Sequence, residues 1–221
     1  MAQAQTLYNS LIYFEDKDKL IVSQYIPSEL KWNYNSTDIN IVQSINMKYY
    51  NDLALFDERN ESKMSRWSLK FQVSTERNER FTLSFRVPKW VKENPVLTIN
   101  DENMNEVLIE KGYININREW SKDEVLIYFP CKLEMCHLPD TFAFMEGPIV
   151  LAGDCDGEGE LFGDVDKPDE ILVPQYEHTY QIFPWKQGVY KTINQPQNIN
   201  FMPLYDVTDE KYTVYFNMAK R

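Results

Sequence analysis

The chain has 221 residues, of which 43% are hydrophobic and 14% are aromatic, and this composition excludes an intrinsically disordered chain. Its formal net charge of -11 argues against nucleic acid as a partner, because phosphate binding requires a basic face and the sequence has no stripe of Lys and Arg. No apolar run approaches the roughly 20 residues that span a bilayer, so the sequence predicts no membrane partner.

The first 16 residues, MAQAQTLYNSLIYFED, have the apolar spacing of an α-helix. Leu7, Leu11 and Phe14 stand at positions i, i+4 and i+7, which would place their side chains in one apolar stripe. The charged and small residues of a signal peptide are missing, so the sequence assigns no compartment. We predict that residues 1–16 are the remnant of a longer helix whose apolar stripe needs a partner.

Two runs of strictly alternating apolar residues predict half-buried strands in the next part of the chain. One run extends from Trp67 to Val73 and the other from Phe81 to Val87. The connector at 74–80, STERNER, is polar and charged, so we predict an antiparallel hairpin. Further strands are predicted at Leu20 to Ile26, Ile39 to Met47, Val96 to Ile99, Tyr113 to Asn117 and Val125 to Phe129.

The sequence pattern changes after Pro139. The segment TFAFMEGPIVLAG at 141–153 predicts two apolar strands around Gly147 and Pro148, and KYTVYFN at 211–217 alternates again. We predict an all-β fold of two β-sandwich modules, at 17–138 and 139–221, preceded by the short remnant of an α-helix at 1–16.

The three cysteines, Cys131, Cys136 and Cys155, are too few for a disulfide framework. Cys131, Cys136 and His137 form a C-x4-C-H motif, but a zinc site would need a second close pair of ligands. We interpret the cysteines as structural thiols, because free Cys is among the most buried residue types.

The acidic stretch at 154–170, DCDGEGELFGDVDKPDE, resembles a calcium-binding loop in its first half. Asp154, Asp156 and Glu158 are followed by Gly159, as in an EF-hand, but the twelfth position is Val165 where a bidentate Glu is required. We therefore predict a solvated surface loop.

The sequence contains 34 acidic residues, and their spacing selects no pair for glycoside hydrolysis. Glu146, between Met145 and the Gly147–Pro148 turn, is the candidate acid for catalysis. The interpretation that we favour is a turn residue whose carboxylate accepts hydrogen bonds from backbone N–H groups.

Four tryptophans are candidates for stacking on sugar rings, although Trp in a β-sandwich usually belongs to the core. These candidates are Trp32, Trp90, Trp120 and Trp185. The sequence has no G-x-S-x-G motif, no Gly-rich phosphate loop and no H-E-x-x-H motif, and its two histidines, His137 and His178, belong to no recognisable site.

Five stretches, in order, resemble the C-terminal half of glycoside hydrolase family 127, which is typified by β-L-arabinofuranosidases. They are LIYFEDKDKLIVSQYIPSELKW (11–32), FTLSFRVPKWV (81–91), GYININREWSKDEVLIYFP (112–130), FAFMEGPIVLAG (142–153) and KYTVYFN (211–217). The resemblance extends over nearly the whole chain.

The resemblance implies an (α/α)6 catalytic barrel followed by two β-sandwich domains. It also implies retaining glycoside hydrolysis by a cysteine thiolate nucleophile, a glutamate general acid and a zinc ion, all within the barrel. Zinc coordination would keep the thiolate deprotonated. No catalytic residue, cofactor ligand or metal ligand of the family carries over to this chain, and its segment AQTLYNSLIYF resembles the final barrel helix.

We therefore expect a non-catalytic C-terminal β-sandwich part of a glycoside hydrolase, inactive alone, whose partner is a catalytic barrel. Two alternatives remain. The first alternative is a carbohydrate-binding module for plant-type glycans. The second is an interaction domain that forms a homodimer through the apolar stripe of residues 1–16.

Overall fold

A computed structural model describes residues 9–45, 65–104, 106–157, 159–175 and 188–219. These residues confirm the predicted all-β fold, because they form two mixed β-sheets. Helical conformation in this part of the chain is limited to Asn9, Ser10 and the short 3-10 helices Pro168–Glu170 and Leu204–Asp206. No described helix is long and apolar enough to cross a membrane.

The chain divides into two compact units, and the division follows Pro130. The first unit contains the described residues of 9–45 and 66–130, and the second contains Ser65 and those that follow Pro130. The division precedes the predicted one at 138/139 because Leu133–His137 forms a strand that pairs with Phe142–Glu146. These two strands belong to the same sheet.

The first unit holds a nine-stranded sheet of described residues. Along the chain, its strands are β1 (Tyr13–Asp16), β2 (Lys19–Val22), β3 (Ser28–Tyr34), β4 (Thr37–Ile45), β5 (Ser65–Arg86), β6 (Val96–Ile99), β7 (Glu102–Asn103), β8 (Ile109–Glu110) and β9 (Tyr113–Cys131). The main order of strands is β1-β2-β5-β9-β6-β7. Strand β4 joins β3 to β5, and β8 pairs with β9.

Strand β5 corrects the predicted hairpin at 67–87, because the connector 74–80 is itself part of one continuous strand. The odd-numbered apolar positions of the first run, such as Phe71 and Val73, stay in phase with Phe81 and Phe85 of the second. A strand places alternate side chains on the same face, so the shared phase of the two runs is consistent with one continuous strand. The polar residues in the middle of β5 are largely exposed, which explains why the sequence pattern predicts a turn there.

Strand β5 is bent, and its two halves face each other. The rings of Phe71 and Phe85 lie 4.8 Å apart between centroids, although a straight strand would separate the two residues by about 46 Å. Trp32 on β3, which joins β5 through β4, likewise meets Phe81 with centroids 5.2 Å apart. The sheet therefore folds over one core.

Strand β9 accompanies β5 around this bend and merges the two strands predicted at 113–117 and 125–129. The Ser84 hydroxyl donates to Asn115 Oδ1 at 2.8 Å, and the Thr75 hydroxyl donates to Trp120 O at 3.1 Å, so β5 and β9 run antiparallel. The buried positions of β9 change from even numbers to odd numbers between Trp120 and Asp123. This one-residue shift concealed the continuity of the strand.

The N-terminal prediction of a helix over residues 1–16 is wrong for its last four residues. Tyr13–Asp16 forms strand β1, which pairs antiparallel with β2, and Phe14 lies opposite Ile21. Leu7 lies outside the described residues, whereas Ile12 O accepts hydrogen bonds from Ser23 N and Gln24 N. Residues 13–16 form a strand because β2 provides partners for their backbone hydrogen bonds. The spacing of apolar residues along the sequence does not reveal such partners.

The second unit holds an eight-stranded sheet of described residues. Its strands are β10 (Leu133–His137), β11 (Phe142–Glu146), β12 (Ile149–Gly153), β13 (Gly159–Phe162), β14 (Leu172–Pro174), β15 (Tyr190–Thr192), β16 (Asn200–Pro203) and β17 (Phe216–Ala219). The main order is β13-β17-β11-β12-β16-β15-β14, and β10 pairs with β11. The hairpin predicted around Gly147 and Pro148 is confirmed as β11 and β12.

The core of the second unit is built on Phe216 at the start of β17. Its ring lies 5.2 Å from that of Phe201 and 6.1 Å from that of Phe142, between centroids. Gly153 and Gly159 lie under this ring, where an added Cβ would come within 2.7 and 2.4 Å of ring atoms. The alternation predicted over 211–217, with Tyr212, Val214 and Phe216 on one face, is wrong at Tyr212, which is exposed, because the strand begins only at Phe216.

Candidate functional site

The tryptophans singled out as sugar-stacking candidates belong to the core wherever the structure describes them. Trp120 is fully buried and its Nε1 donates to Phe81 O at 3.0 Å, while Trp32 is 9% exposed. Trp90 is half-buried with its ring edge-on to that of Phe129. Trp185 lies outside the described residues. Trp32 and Trp120 are therefore core residues, and the partly buried Trp90 packs against the same core.

Glu146 ends strand β11 and is 1% exposed. Burial raises the pKa of its carboxyl to about 7, and hydrogen bonds from the Tyr190 side chain and the Gly188 backbone partly oppose that rise. The favoured interpretation, an acid bound by backbone N–H, agrees with the Gly188 contact. Its carboxyl is out of reach of solvent.

The cysteines and histidines do not form a metal centre within the described residues. Cys131 is buried at the end of β9, Cys136 is exposed on β10 and Cys155 is partly exposed. His178 lies outside the described residues. In the part of the chain that the structure describes, no group of three or more His, Cys, Asp and Glu side chains could hold a metal ion. The donor set required by zinc does not fit these residues.

The acidic stretch at 154–170 is more ordered than the predicted surface loop. It contains β13, whose Leu161 is 1% exposed, and the 3-10 helix Pro168–Glu170. Asp156 forms an ion pair with Lys211. Glu158, the third acid of the calcium-like pattern, lies outside the described residues. The apolar residues within the stretch explain why a strand forms here.

A surface that we call the N-terminal apolar surface consists of Leu11, Phe14 and Ile26. These side chains are 42%, 44% and 42% exposed, and they lie on β1 or on the segments that flank β1 and β2. Two of them, Leu11 and Phe14, belong to the stripe that the sequence predicted to need a partner. Each of the three leaves a large apolar side chain exposed close to β1 or β2 in the chain.

A second surface, which we call the Phe162 groove, lies beside the end strand β13. Two adjoining depressions of about 300 and 470 Å³ share Phe162, Gln195 and Pro196 in their walls. Phe162 N donates to Gln195 Oε1 at 2.8 Å, and Gln195 Nε2 donates to Phe162 O at 2.7 Å. The side chain of Phe162 faces away from the core, because the alternate residues Gly159 and Leu161 are the buried ones.

Sequence reasoning missed the Phe162 groove. Phe162 stands in the acidic stretch, and Gln195 and Pro196 stand in a turn far along the chain, so no local motif joins them. The available signal was the sequence ELF at 160–162, an apolar interruption of a run otherwise rich in Asp, Glu and Gly.

Comparison with known proteins identifies relatives of the fold. The family described as "Beta-L-arabinofuranosidase, GH127 middle domain" matches residues 19–131. A GH127 β-L-arabinofuranosidase from Geobacillus stearothermophilus T6 is similar in structure, with a TM-score of 0.62 and 22% identity over 96% of this chain and 35% of that chain. No curated protein matches the chain.

Two further structures are similar to the chain. One is a GH127 β-arabinofuranosidase, with a TM-score of 0.59, 16% identity and coverage of 94% of this chain and 36% of that chain. The other is a glycoside hydrolase, with a TM-score of 0.59, 13% identity and coverage of 94% of this chain and 37% of that chain. The chain thus spans about a third of the length of the structures that it matches.

Proposed function

The chain belongs to the family of the GH127 β-L-arabinofuranosidase middle domain, and from this premise we propose that it is a non-catalytic β-sandwich part of a glycoside hydrolase. In this proposal it packs on a catalytic (α/α)6 barrel and shapes the side of the sugar site that the barrel leaves open. Zinc and the catalytic cysteines and glutamate belong to the barrel.

The N-terminal apolar surface is the observation that carries the proposal of packing. Leu11, Phe14 and Ile26 each leave about two fifths of their surface in water, which costs free energy that a partner's apolar surface would recover. The partner that suits this surface is the rest of a catalytic barrel, because Leu11 and Phe14 belong to the segment that resembles the final barrel helix. Each matched structure also contains about two thirds of its chain outside the region shared with this one.

The state of Glu146 supports the proposal that the chain is non-catalytic. A general acid must come within hydrogen-bond reach of the leaving oxygen. The Glu146 carboxyl is instead buried at the end of a strand with Tyr190 and Gly188 as hydrogen-bond donors. Its raised pKa, although suitable for an acid, comes from burial in the core of the second unit.

The test of packing measures the accessible apolar surface of the purified chain with a fluorescent hydrophobic dye. The double variant Leu11→Ser, Phe14→Ser should lose a large part of the dye fluorescence, because it removes two large exposed apolar side chains. The matched control Leu204→Ser, at an exposed leucine of the second unit, should lose little. Equal losses in both variants, or none in the double variant, would contradict the proposal.

A further inference from the structure

The Phe162 groove combines an aromatic ring and a proline with polar side chains that surround them. Phe162 is partly exposed and Pro196 is exposed, and both contribute to each of the two depressions. Apolar ring faces of this kind contact the C–H faces of sugar rings, and the volumes of the depressions fall within or near the range of small-molecule sites.

The polar side chains of the groove favour a ligand with many hydroxyl groups. The depression of about 300 Å³ is lined by Asp156, Glu160, Gln195 and Gln197. Its neighbour of about 470 Å³ is also lined by Asn194. Carboxylates accept hydrogen bonds, and side-chain amides donate and accept them, which matches hydroxyl groups that do both.

The charges of the groove exclude an anionic ligand. The described lining residues include the carboxylates Asp156 and Glu160 and no Lys or Arg. Lys211 forms an ion pair with Asp156, so its positive charge is already paired with a carboxylate. An acidic polysaccharide would therefore meet like charges, whereas a neutral one would not.

The groove is held in shape before a ligand arrives. The Gln195 amide makes two hydrogen bonds to the backbone of Phe162, and its Nε2 donates a third to Ile193 O at 3.2 Å. These bonds fix the turn at 193–197 against β13, so binding would immobilise little additional chain.

We propose that the Phe162 groove binds a neutral oligosaccharide, with one sugar ring on Phe162 and its hydroxyls on the side chains of Glu160, Asn194 and Gln197 around that ring. Ligand binding by this groove is not part of the proposed function, so this proposal goes beyond it. An extended proline-rich peptide suits the groove less well, because such peptides dock between several aromatic side chains and the described lining residues include one, Phe162.

Nuclear magnetic resonance tests the proposal on the intact chain. Arabinohexaose and cellohexaose are the neutral probes, and hexagalacturonate of the same length is the anionic probe. At least one neutral probe should shift the resonances of Asn194, Gln195 and Gln197, and hexagalacturonate should shift none of them. Phe162→Ala should weaken the binding about tenfold, while Tyr205→Ala, at an exposed aromatic residue outside the groove, should leave it unchanged.

Three results would overturn the proposal. The first is the absence of shifts with both neutral probes at millimolar concentration. The second is equal binding by the wild type and by Phe162→Ala, and the third is a stronger response to hexagalacturonate than to the neutral probes. Gln197→Ala provides the same comparison should Phe162→Ala fail to fold, because the exposed Gln197 side chain should contribute contacts and little stability.

Discussion

Gln195 and Phe162 are joined by a pair of hydrogen bonds that run in opposite directions. The Phe162 N–H donates to Gln195 Oε1 at 2.8 Å and the Gln195 amide nitrogen donates to Phe162 O at 2.7 Å. Strand β13 stands at the end of its sheet with β17 as its described partner, so the Gln195 side chain takes the place of a neighbouring strand at this residue.

Replacement of Gln195 by Ala should destabilise the second unit by about 1–3 kcal/mol, because Phe162 loses partners for both backbone groups. Urea unfolding monitored by circular dichroism measures this loss. Gln197→Ala is the control, because Gln197 is exposed nearby, and its cost should stay within about 0.5 kcal/mol. Equal stability of the two variants would mean that the Gln195 bonds add nothing measurable.

Glu146 should make the stability of the chain fall as pH rises from about 4.5 to 7. In the folded protein the Glu146 carboxyl keeps its proton up to the raised pKa of about 7, whereas in the unfolded chain it releases that proton near the ordinary pKa of 4.5. The folded state binds more protons in this window, so stability is lost with rising pH, by about 3 kcal/mol in total.

The variant Glu146→Gln should remove that part of the pH dependence and retain similar stability at pH 5 and pH 8. Glu210→Gln is the control, because Glu210 is exposed and its hydrogen bonds lower the pKa of its carboxyl. Urea unfolding at the two pH values provides the comparison. An equal loss of stability from pH 5 to pH 8 in Glu146→Gln and in the wild type would contradict this prediction.

Gly159→Ala should destabilise the second unit by about 1–3 kcal/mol or more, because the added methyl group would come within 2.4 Å of the Phe216 ring. The double variant Gly159→Ala, Phe216→Leu should cost less than the sum of the two single changes, since the smaller side chain leaves room for the methyl group. Thermal unfolding of the four proteins gives the coupling. Strict additivity would show that the two residues do not meet.

The chain should be a monomer in solution, although its N-terminal apolar surface offers a site for self-association. A stable dimer buries about 800 Å² per partner, which is more than three partly exposed side chains supply. Light scattering measures the mass of the wild type and of the variant Leu11→Ser, Phe14→Ser. A dimeric wild type that becomes monomeric in the variant would favour the alternative of a homodimer.

Local signals in the sequence predicted parts of the fold well. The β11–β12 hairpin follows from two apolar runs around Gly147 and Pro148, and Val96–Ile99 forms β6 at its predicted bounds. The bend of β5 was not predictable in this way, because the facing of Phe71 and Phe85 depends on packing between distant parts of one strand. Strand β3 was missed for a similar reason, since all of its residues pair with β4.

The candidate sites were less predictable than the fold. The burial of Trp32 and Trp120 confirms the favoured interpretation that they are core residues, although an aromatic residue in a strand does not itself reveal which face is buried. The Phe162 groove joins residues that lie more than thirty positions apart in the chain, and its shape depends on the Gln195 bonds. Only the tertiary structure brings them together.

The most direct test of the non-catalytic role is an assay of the purified chain with p-nitrophenyl β-L-arabinofuranoside, with added zinc and with a metal chelator. The account predicts no release of nitrophenol above the buffer rate under either condition, while a complete GH127 enzyme, as positive control, hydrolyses the same substrate. Clear release that depends on zinc, and that Glu146→Gln abolishes, would contradict the account.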